Sequence, residues 1–193
     1  MTSREQLLDL FRRSGALLDG HFRLSSGLHS AGYLQCALVL SNPADAEVLG
    51  RALADRVRAL RPTAVLSPAL GGVVIGHEVG RALGVRALFA ERQDGVLTLR
   101  RGFVLGEADR VLVVEDVLTT GTSTRETMQV TSAAGAQVVG IASIVDRSGG
   151  TARFDVPFES LLNVDLPTYS PEACPLCAQG LPVVKPGSRP VLV

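Results

Sequence analysis

At 193 residues the chain is sized for one domain, or one domain with a small appendage, and a hydrophobic content of 46% supports a sizeable core. Nineteen basic and nineteen acidic residues give a formal net charge of zero, which excludes nucleic-acid binding by bulk electrostatics. No apolar run is long enough to span a membrane, and three cysteines behind an amphipathic start, MTSREQLLDLFRR, fit a reducing cytoplasm rather than secretion.

Ser3–Ser14 reads as a helix with Leu7, Leu8, Leu10 and Phe11 on one side, opened by a Ser3/Gln6 capping box. Gly15–Leu40 is irregular and strand-like, punctuated by Gly and Ser, and reads as a small lobe. Asn42 and Pro43 open a helix through about Leu60, as N-cap and first helical residue. Thr63–Ser67 is a short strand and Pro68–Gly72 a tight turn. Val73–Leu83 is a helix closed by Gly84, and Val85–Ala90 the next strand. Glu91–Gly106 holds Arg92, Arg100 and Arg101 around Asp94-Gly95 and Gly102; it reads as a hairpin-like excursion that need not be rigid. Val111–Val114 is a buried strand, and a helix runs from about Thr124 to Ala134, where Gly135 ends it. Gln137–Val145 is another apolar strand, with Asp146-Arg147 at its end. From Thr151 the chain is Pro-rich; Phe158–Val164 reads as a last strand, and a C-terminal extension covers about 166–193.

Strands alternating with helices at this spacing imply parallel βαβ units, hence an α/β fold with an open, mostly parallel sheet flanked by helices. Residues 1–193 read as one domain, with the lobe at about 15–40 forming a small N-terminal hood. In such sheets ligands sit beyond the C-terminal strand ends. Pro68–Gly72, Glu115–Ser123 and Asp146–Arg147 all fall at such ends and should converge on one crevice.

The most informative stretch is Val111–Glu126, VLVVEDVLTTGTSTRE. A buried strand leads into two carboxylates, Glu115 and Asp116, then a small-residue loop and a helix N-terminus. Unpaired N–H groups and the positive end of the helix dipole make such a loop a phosphate cradle. Two carboxylates before it suit the vicinal hydroxyls of a sugar, or a metal. The bland alternative is a βα turn capped by Thr122 or Ser123. There is no Walker A lysine and no G-x-G-x-x-G. Ala69-Leu70-Gly71-Gly72 offers a second set of backbone N–H groups before a helix, or else a plain turn. Arg147 is either half of a local ion pair with Asp146 or a planar fork aimed at a carboxylate or carbonyl.

The run ED-VLTTGTS resembles the phosphoribosyl-pyrophosphate (PRPP) loop of type I phosphoribosyltransferases. The resemblance implies that Glu115 and Asp116 bind the ribose hydroxyls and sit at the catalytic centre. It implies that Val117, Leu118, Thr119, Thr120, Gly121, Thr122 and Ser123 complete the PRPP site, and that Ala69–Gly72 holds pyrophosphate. His21–Ser30, HFRLSSGLHS, is similar to the hood segment of the orotate-specific members, and the Asp146-Arg147 pair to their orotate-binding strand end. Thr119, Arg147, Ser26 and Gly27 would then contact orotate. The implied reaction transfers phosphoribosyl from PRPP to orotate, giving orotidine 5′-phosphate and pyrophosphate in pyrimidine biosynthesis. It takes place in the cytoplasm, in a homodimer, with Mg²⁺ held mainly by PRPP and no nucleic-acid or membrane partner. The alternatives are a purine-base enzyme, or a non-catalytic PRPP sensor of the same fold.

The chain departs from that pattern at its lysines: eighteen of the nineteen basic residues are Arg, and Lys185 is the exception. Ser25 stands where the hood usually has Lys, and Leu70-Gly71 where the pyrophosphate loop has Tyr-Lys. Phe89–Gly95 stands where the family's mobile loop carries lysines and a histidine. Arg92 is therefore the expected lid cation, with Arg100 and Arg101 beyond the turn. Cys174-Pro-Leu-Cys177 is half of a four-cysteine zinc set; completing it needs Cys36, a His or a second copy of the chain. His21, His29 and His77 show no metal-ligand spacing. The reading is a reduced structural pair with no protein-held metal.

Overall fold

Strand burial sets the frame. In the computed structural model, which describes residues 3–24 and 26–186, six strands form the main sheet in the order β5-β4-β3-β6-β7-β8. They are β3 (Ala64–Pro68), β4 (Arg86–Gln93), β5 (Val96–Leu99), β6 (Arg110–Leu118), β7 (Gln137–Asp146) and β8 (Phe158–Asn163). All neighbours are parallel except the β4–β5 edge pair. Ser25 and residues 187–193, on which the missing hood lysine and the end of the expected extension fall, lie outside the described residues.

β3 is buried along its whole length, as a parallel strand covered on both faces must be. One face carries α1 (Arg4–Arg13), α3 (Pro43–Val57) and α4 (Gly71–Leu83); their Phe11, Leu53 and Ile75 share a core with Leu112 and Val114 of β6. The other face carries α5 (Thr122–Ala133), where Val130 packs with Val111, Leu66 and Leu97. From Val111 to Asp116 the alternation along β6 therefore sends odd-numbered side chains toward α5 and even-numbered ones toward α4, while Val117, near the strand's end, packs on the α4-side core.

The lobe is a second sheet, β1 (Leu17–Arg23) and β2 (His29–Leu34), antiparallel and joined by β9 (Thr168–Tyr169) from the far end of the chain. The hood is thus shared between both ends of the sequence. A further bridge pairs Phe22 with Val184.

Helix starts follow the sequence signals at Ser3, whose capping box with Gln6 is formed, and at Asn42, whose side chain accepts from the Ala44 N–H. Three elements differ from expectation. Cys36–Leu40 is a short helix, α2, because Cys36, Val39 and Leu40 fall at helical spacing and are buried. β6 continues through Glu115 and Asp116 to Leu118, held by β7 pairing out to Leu118–Asp146. β4 runs on to Gln93 and turns back at Asp94 (φ 52°) and Gly95 (φ 85°), the left-handed pair of a two-residue hairpin. Leu97 buries into the second core, so half of the expected excursion is an edge of the main sheet.

Candidate functional site

Three turns meet beyond the C-terminal ends of β3, β6 and β7. Among the longer helices, α1 and α3 carry side-chain N-caps, whereas α4, after Leu70, and α5, after Gly121, have none; the short helices Cys36–Leu40 and Pro175–Ala178 also lack one. Uncapped first turns leave N–H groups directed out of the helix. Those of α4 and α5 follow the turns expected to hold anions. Thr122 and Ser123 do not cap α5; Gly121 precedes it at φ 76°, a left-handed conformation that turns the chain sharply into the helix.

The acidic pair is divided by the strand it sits on. Glu115 points toward α5 and is buried; its carboxylate accepts from Ser123 Oγ at 2.5 Å and from the buried hydroxyl of Thr124. Burial raises its pKa, the two hydroxyls lower it, and Asp116 raises it further. Asp116 points toward α4, half-buried against Gly71. Burial raises its pKa too, opposed by backbone N–H groups of Val117 and Asp116 itself. The two carboxylates do not stand side by side, and Glu115 already spends hydrogen-bond capacity inside the loop.

Within the loop, Thr119, Thr120 and Thr122 are exposed, Ser123 and Val117 partly buried, and the Leu118 side chain fully buried. The hydroxyls of Thr120 and Thr122 lie 2.9 Å apart. Arg125 donates to the Thr120 carbonyl at 2.8 Å and to that of Arg153, and stacks over Phe154. It pins the loop from behind. Sequence reading missed Arg125 and Thr124; their one signal is a helical spacing that places them in the first turn, behind the loop.

Ala69–Gly72 lies across from Asp116. The Ala69 N–H donates to the Ala90 carbonyl at 2.7 Å, and the Ala69–Leu70 peptide is cis. Leu70 is 86% exposed. A Cβ on Gly71 would fall 2.6 Å from Asp116 Oδ1, and one on Gly72 would fall 2.9 Å from the Val114 carbonyl. These glycines let the turn lie against the end of β6.

Arg147 follows β7, its N–H donating to the Leu118 carbonyl at 2.8 Å. Asp146 instead accepts from the Ser148 N–H at 2.8 Å, so the local ion pair is not made. Arg147 is half-buried, and its Nε is buried with no partner among the described residues. Desolvation lowers its pKa, while nearby Cys36 raises it. Arg147 lines a cavity of about 310 Å³ under the hood with Arg23, Ser26, Tyr33 and Lys185. Gly27 is at the hood turn, its N–H donating to the Leu24 carbonyl. Lys185, invisible as a site residue in sequence, reaches the cavity because the tail folds back along β1.

Arg92 is engaged elsewhere: it donates to the Gly95 carbonyl at 2.6 Å and pairs with Glu126 of α5 at 2.5 Å. Arg100 and Arg101 both pair with Glu91. No metal-ligand cluster forms at the loops among the described residues. One forms in the hood. The expectation that the histidines belong to no ligand set fails in three dimensions: His21, His29, Cys174 and Cys177 place their ligand atoms within 4.8 Å of one another. His77 stays apart, on the surface of α4 beside Glu78.

Residues 38–168 match the phosphoribosyl transferase domain family. An orotate phosphoribosyltransferase of Carboxydothermus hydrogenoformans is 55% identical over 95% of this chain and 97% of its own. Among solved structures, the orotate phosphoribosyltransferase of Aeropyrum pernix superposes with a TM-score of 0.68 at 27% identity, covering 82% of this chain and 93% of that one. That of Mycobacterium tuberculosis in complex with 5-phospho-alpha-D-ribosyl 1-diphosphate gives 0.66 at 26%, covering 83% and 95%.

The Gly71–Asp116 approach is open to test. Gly71→Ala should cost about 1–3 kcal/mol in urea denaturation, because an added methyl must displace a half-buried carboxylate. Combined with Asp116→Ala, most of that cost should vanish. Additive costs would mean that the two residues do not touch.

Proposed function

The chain belongs to the phosphoribosyl transferase family, among its orotate phosphoribosyltransferases, and we propose that it transfers the phosphoribosyl group of PRPP to orotate, releasing pyrophosphate. The observation that carries the base choice is Arg147, whose buried Nε lacks a partner among the described residues, beside two uncapped helix starts. An unpaired buried donor costs free energy unless a ligand meets it. Orotate offers a carboxylate and carbonyls, and Arg23 and Lys185 add two further cations to the same cavity. Together they would hold an anionic, planar base where a purine offers no carboxylate. Ser26, Gly27 and Thr119 complete that pocket in this reading.

We assign the 5′-phosphate to the N–H groups and hydroxyls of Thr119–Ser123, and pyrophosphate to the turn at Ala69–Gly72. Asp116 takes the ribose hydroxyls and faces the sugar as positive charge develops on its ring. Glu115 acts one step removed, by holding Ser123 and Thr124 in place. Catalysis on this reading is positioning plus electrostatics, without a general base if orotate arrives ionised. The residues present fit a Mg²⁺ held mainly by PRPP's own oxygens, with Asp116 the nearest carboxylate; bound there, it would offset the charge of the leaving pyrophosphate. Arg92 receives no step in this conformation, because Glu126 and the Gly95 carbonyl occupy it.

We place the enzyme in the cytoplasm as a homodimer. The dimer reading is supported by exposed apolar side chains, Leu38 on α2 and Leu70 and Val74 around the start of α4, near a cavity that also includes Asp116. No helix among the described residues is long and apolar enough to cross a membrane.

Incubation with PRPP and Mg²⁺ plus orotate, hypoxanthine, adenine or uracil should release pyrophosphate with orotate alone. Release with a purine would reassign the base pocket, and none with any base would leave a PRPP sensor. Asp116→Asn should lower kcat by roughly a hundredfold while the melting temperature stays near wild type; an unchanged kcat at saturating PRPP would remove Asp116 from the mechanism. Arg147→Ala should raise KM for orotate by about tenfold or more, with a smaller effect on KM for PRPP. Equal movement of both constants would make Arg147 structural.

A further inference from the structure

We propose that His21, His29, Cys174 and Cys177 form a tetrahedral zinc site that staples the C-terminal extension to the hood. Nothing in this inference depends on the reaction proposed above.

The extension has little else to hold it. Between Thr168 and Pro186, Cys174 is the one buried residue, and the regular structure is a two-residue strand, a 3₁₀ turn and the four-residue helix α6 (Pro175–Ala178). Without an apolar face, so short a segment needs a cross-link to stay ordered. Its one buried point is a cysteine, facing two buried histidines of β1 and β2.

The distances suit a metal. His21 Nε2 lies 3.5 Å from Cys174 Sγ and 3.7 Å from Cys177 Sγ, and His29 Nδ1 lies 3.3 Å from Cys177 Sγ. Zn–N bonds of about 2.0–2.1 Å and Zn–S bonds of about 2.3 Å at tetrahedral angles place N and S about 3.5 Å apart. The two ring nitrogens, at 2.9 Å, need only a small separation. The histidine chemistry agrees. His21 Nδ1 lies 2.9 Å from the Leu181 carbonyl, which can only accept, so Nδ1 carries the proton. In neutral His21 this leaves Nε2 as a bare lone pair aimed into the cluster. A ligating histidine whose other nitrogen donates to a backbone carbonyl is the usual outer arrangement of a zinc site. Two soft sulfurs and two imidazoles in a tetrahedral set favour Zn²⁺. Binding releases the two thiol protons, and two thiolates then neutralise the ion, so a site with three buried ligands and one exposed, Cys177, carries no net charge.

Sequence spacing hides the set, because the ligands come as an H-x₇-H pair across two strands and a C-x-x-C from an element 153 residues on from His21 to Cys174.

The test is the metal content of the full chain, prepared without a metal-binding tag and in chelator-free buffer. Mass spectrometry of the metals should find about one zinc per chain. The Cys174→Ser/Cys177→Ser double variant should carry almost none. Adding Co²⁺ to metal-stripped wild type should give the intense visible bands and thiolate charge-transfer band of a tetrahedral cobalt site, absent from the double variant. Wild-type protein with neither zinc nor that spectrum overturns the site, and so does zinc retained in full by the double variant. Limited proteolysis of the wild type needs no substitution. Cleavage within 168–186 should rise after chelation and fall again when zinc is restored; cleavage indifferent to zinc overturns the staple.

Discussion

The buried carboxylate of Glu115 is the constraint on which the site depends. It sits at the end of the central strand and binds the hydroxyls of Ser123 and Thr124 in the first turn of the next helix. A carboxylate removed from water must find donors or lose its charge. Its side-chain donors among the described residues are Ser123 and Thr124, so the turn is drawn closed around it. Arg125 completes the closure from outside through the Thr120 carbonyl. The result is a loop held in place from within, with Thr119, Thr120 and Thr122 left exposed. Preorganised donors of this kind cost no rearrangement when charge develops.

The strand's period does the rest. Because Glu115 and Asp116 are adjacent, they must face opposite sides of the sheet. One is spent on the architecture of the loop, and the other is left beside the Gly71 turn, where sugar and pyrophosphate would meet. A single dipeptide thus serves two faces. The same logic explains the glycines at 71 and 72: the turn can approach the end of β6 only where no Cβ intervenes.

Much of this was legible in the sequence, where the signal is local. Apolar runs broken by Gly and Pro located the βαβ core, Ser3 and Asn42 marked helix starts, and ED-VLTTGTS marked the turn from β6 into α5. What was not legible depends on distance or on competition. The helix at Cys36–Leu40 was hidden in an apolar run whose period is too short to separate from a strand. The division of the acidic pair followed from four further residues of strand, which only pairing with β7 reveals. Arg92 looked available until Glu126, 34 residues away, was found against it. The Cys174/Cys177 pair was visible as half a ligand set, but its meeting with His21 and His29, and the arrival of Lys185 under the hood, were not, because the tail that brings them together returns to the hood across nearly the whole chain.

That return has a consequence for how the molecule is made. β1 and β2 are synthesised well before their third strand, at Thr168–Tyr169. The parallel core between them uses mostly neighbouring βαβ units and has what it needs earlier, whereas closing the hood requires contacts of very high sequence separation, the slowest kind to form. During translation the lobe must therefore wait as an open two-stranded hairpin, marginal by itself, while the phosphate-facing half takes shape behind it. The cavity under that lobe therefore closes only after the sheet beneath it, and a ribosome that stops short of Thr168 leaves a core with its loops in place but no complete roof.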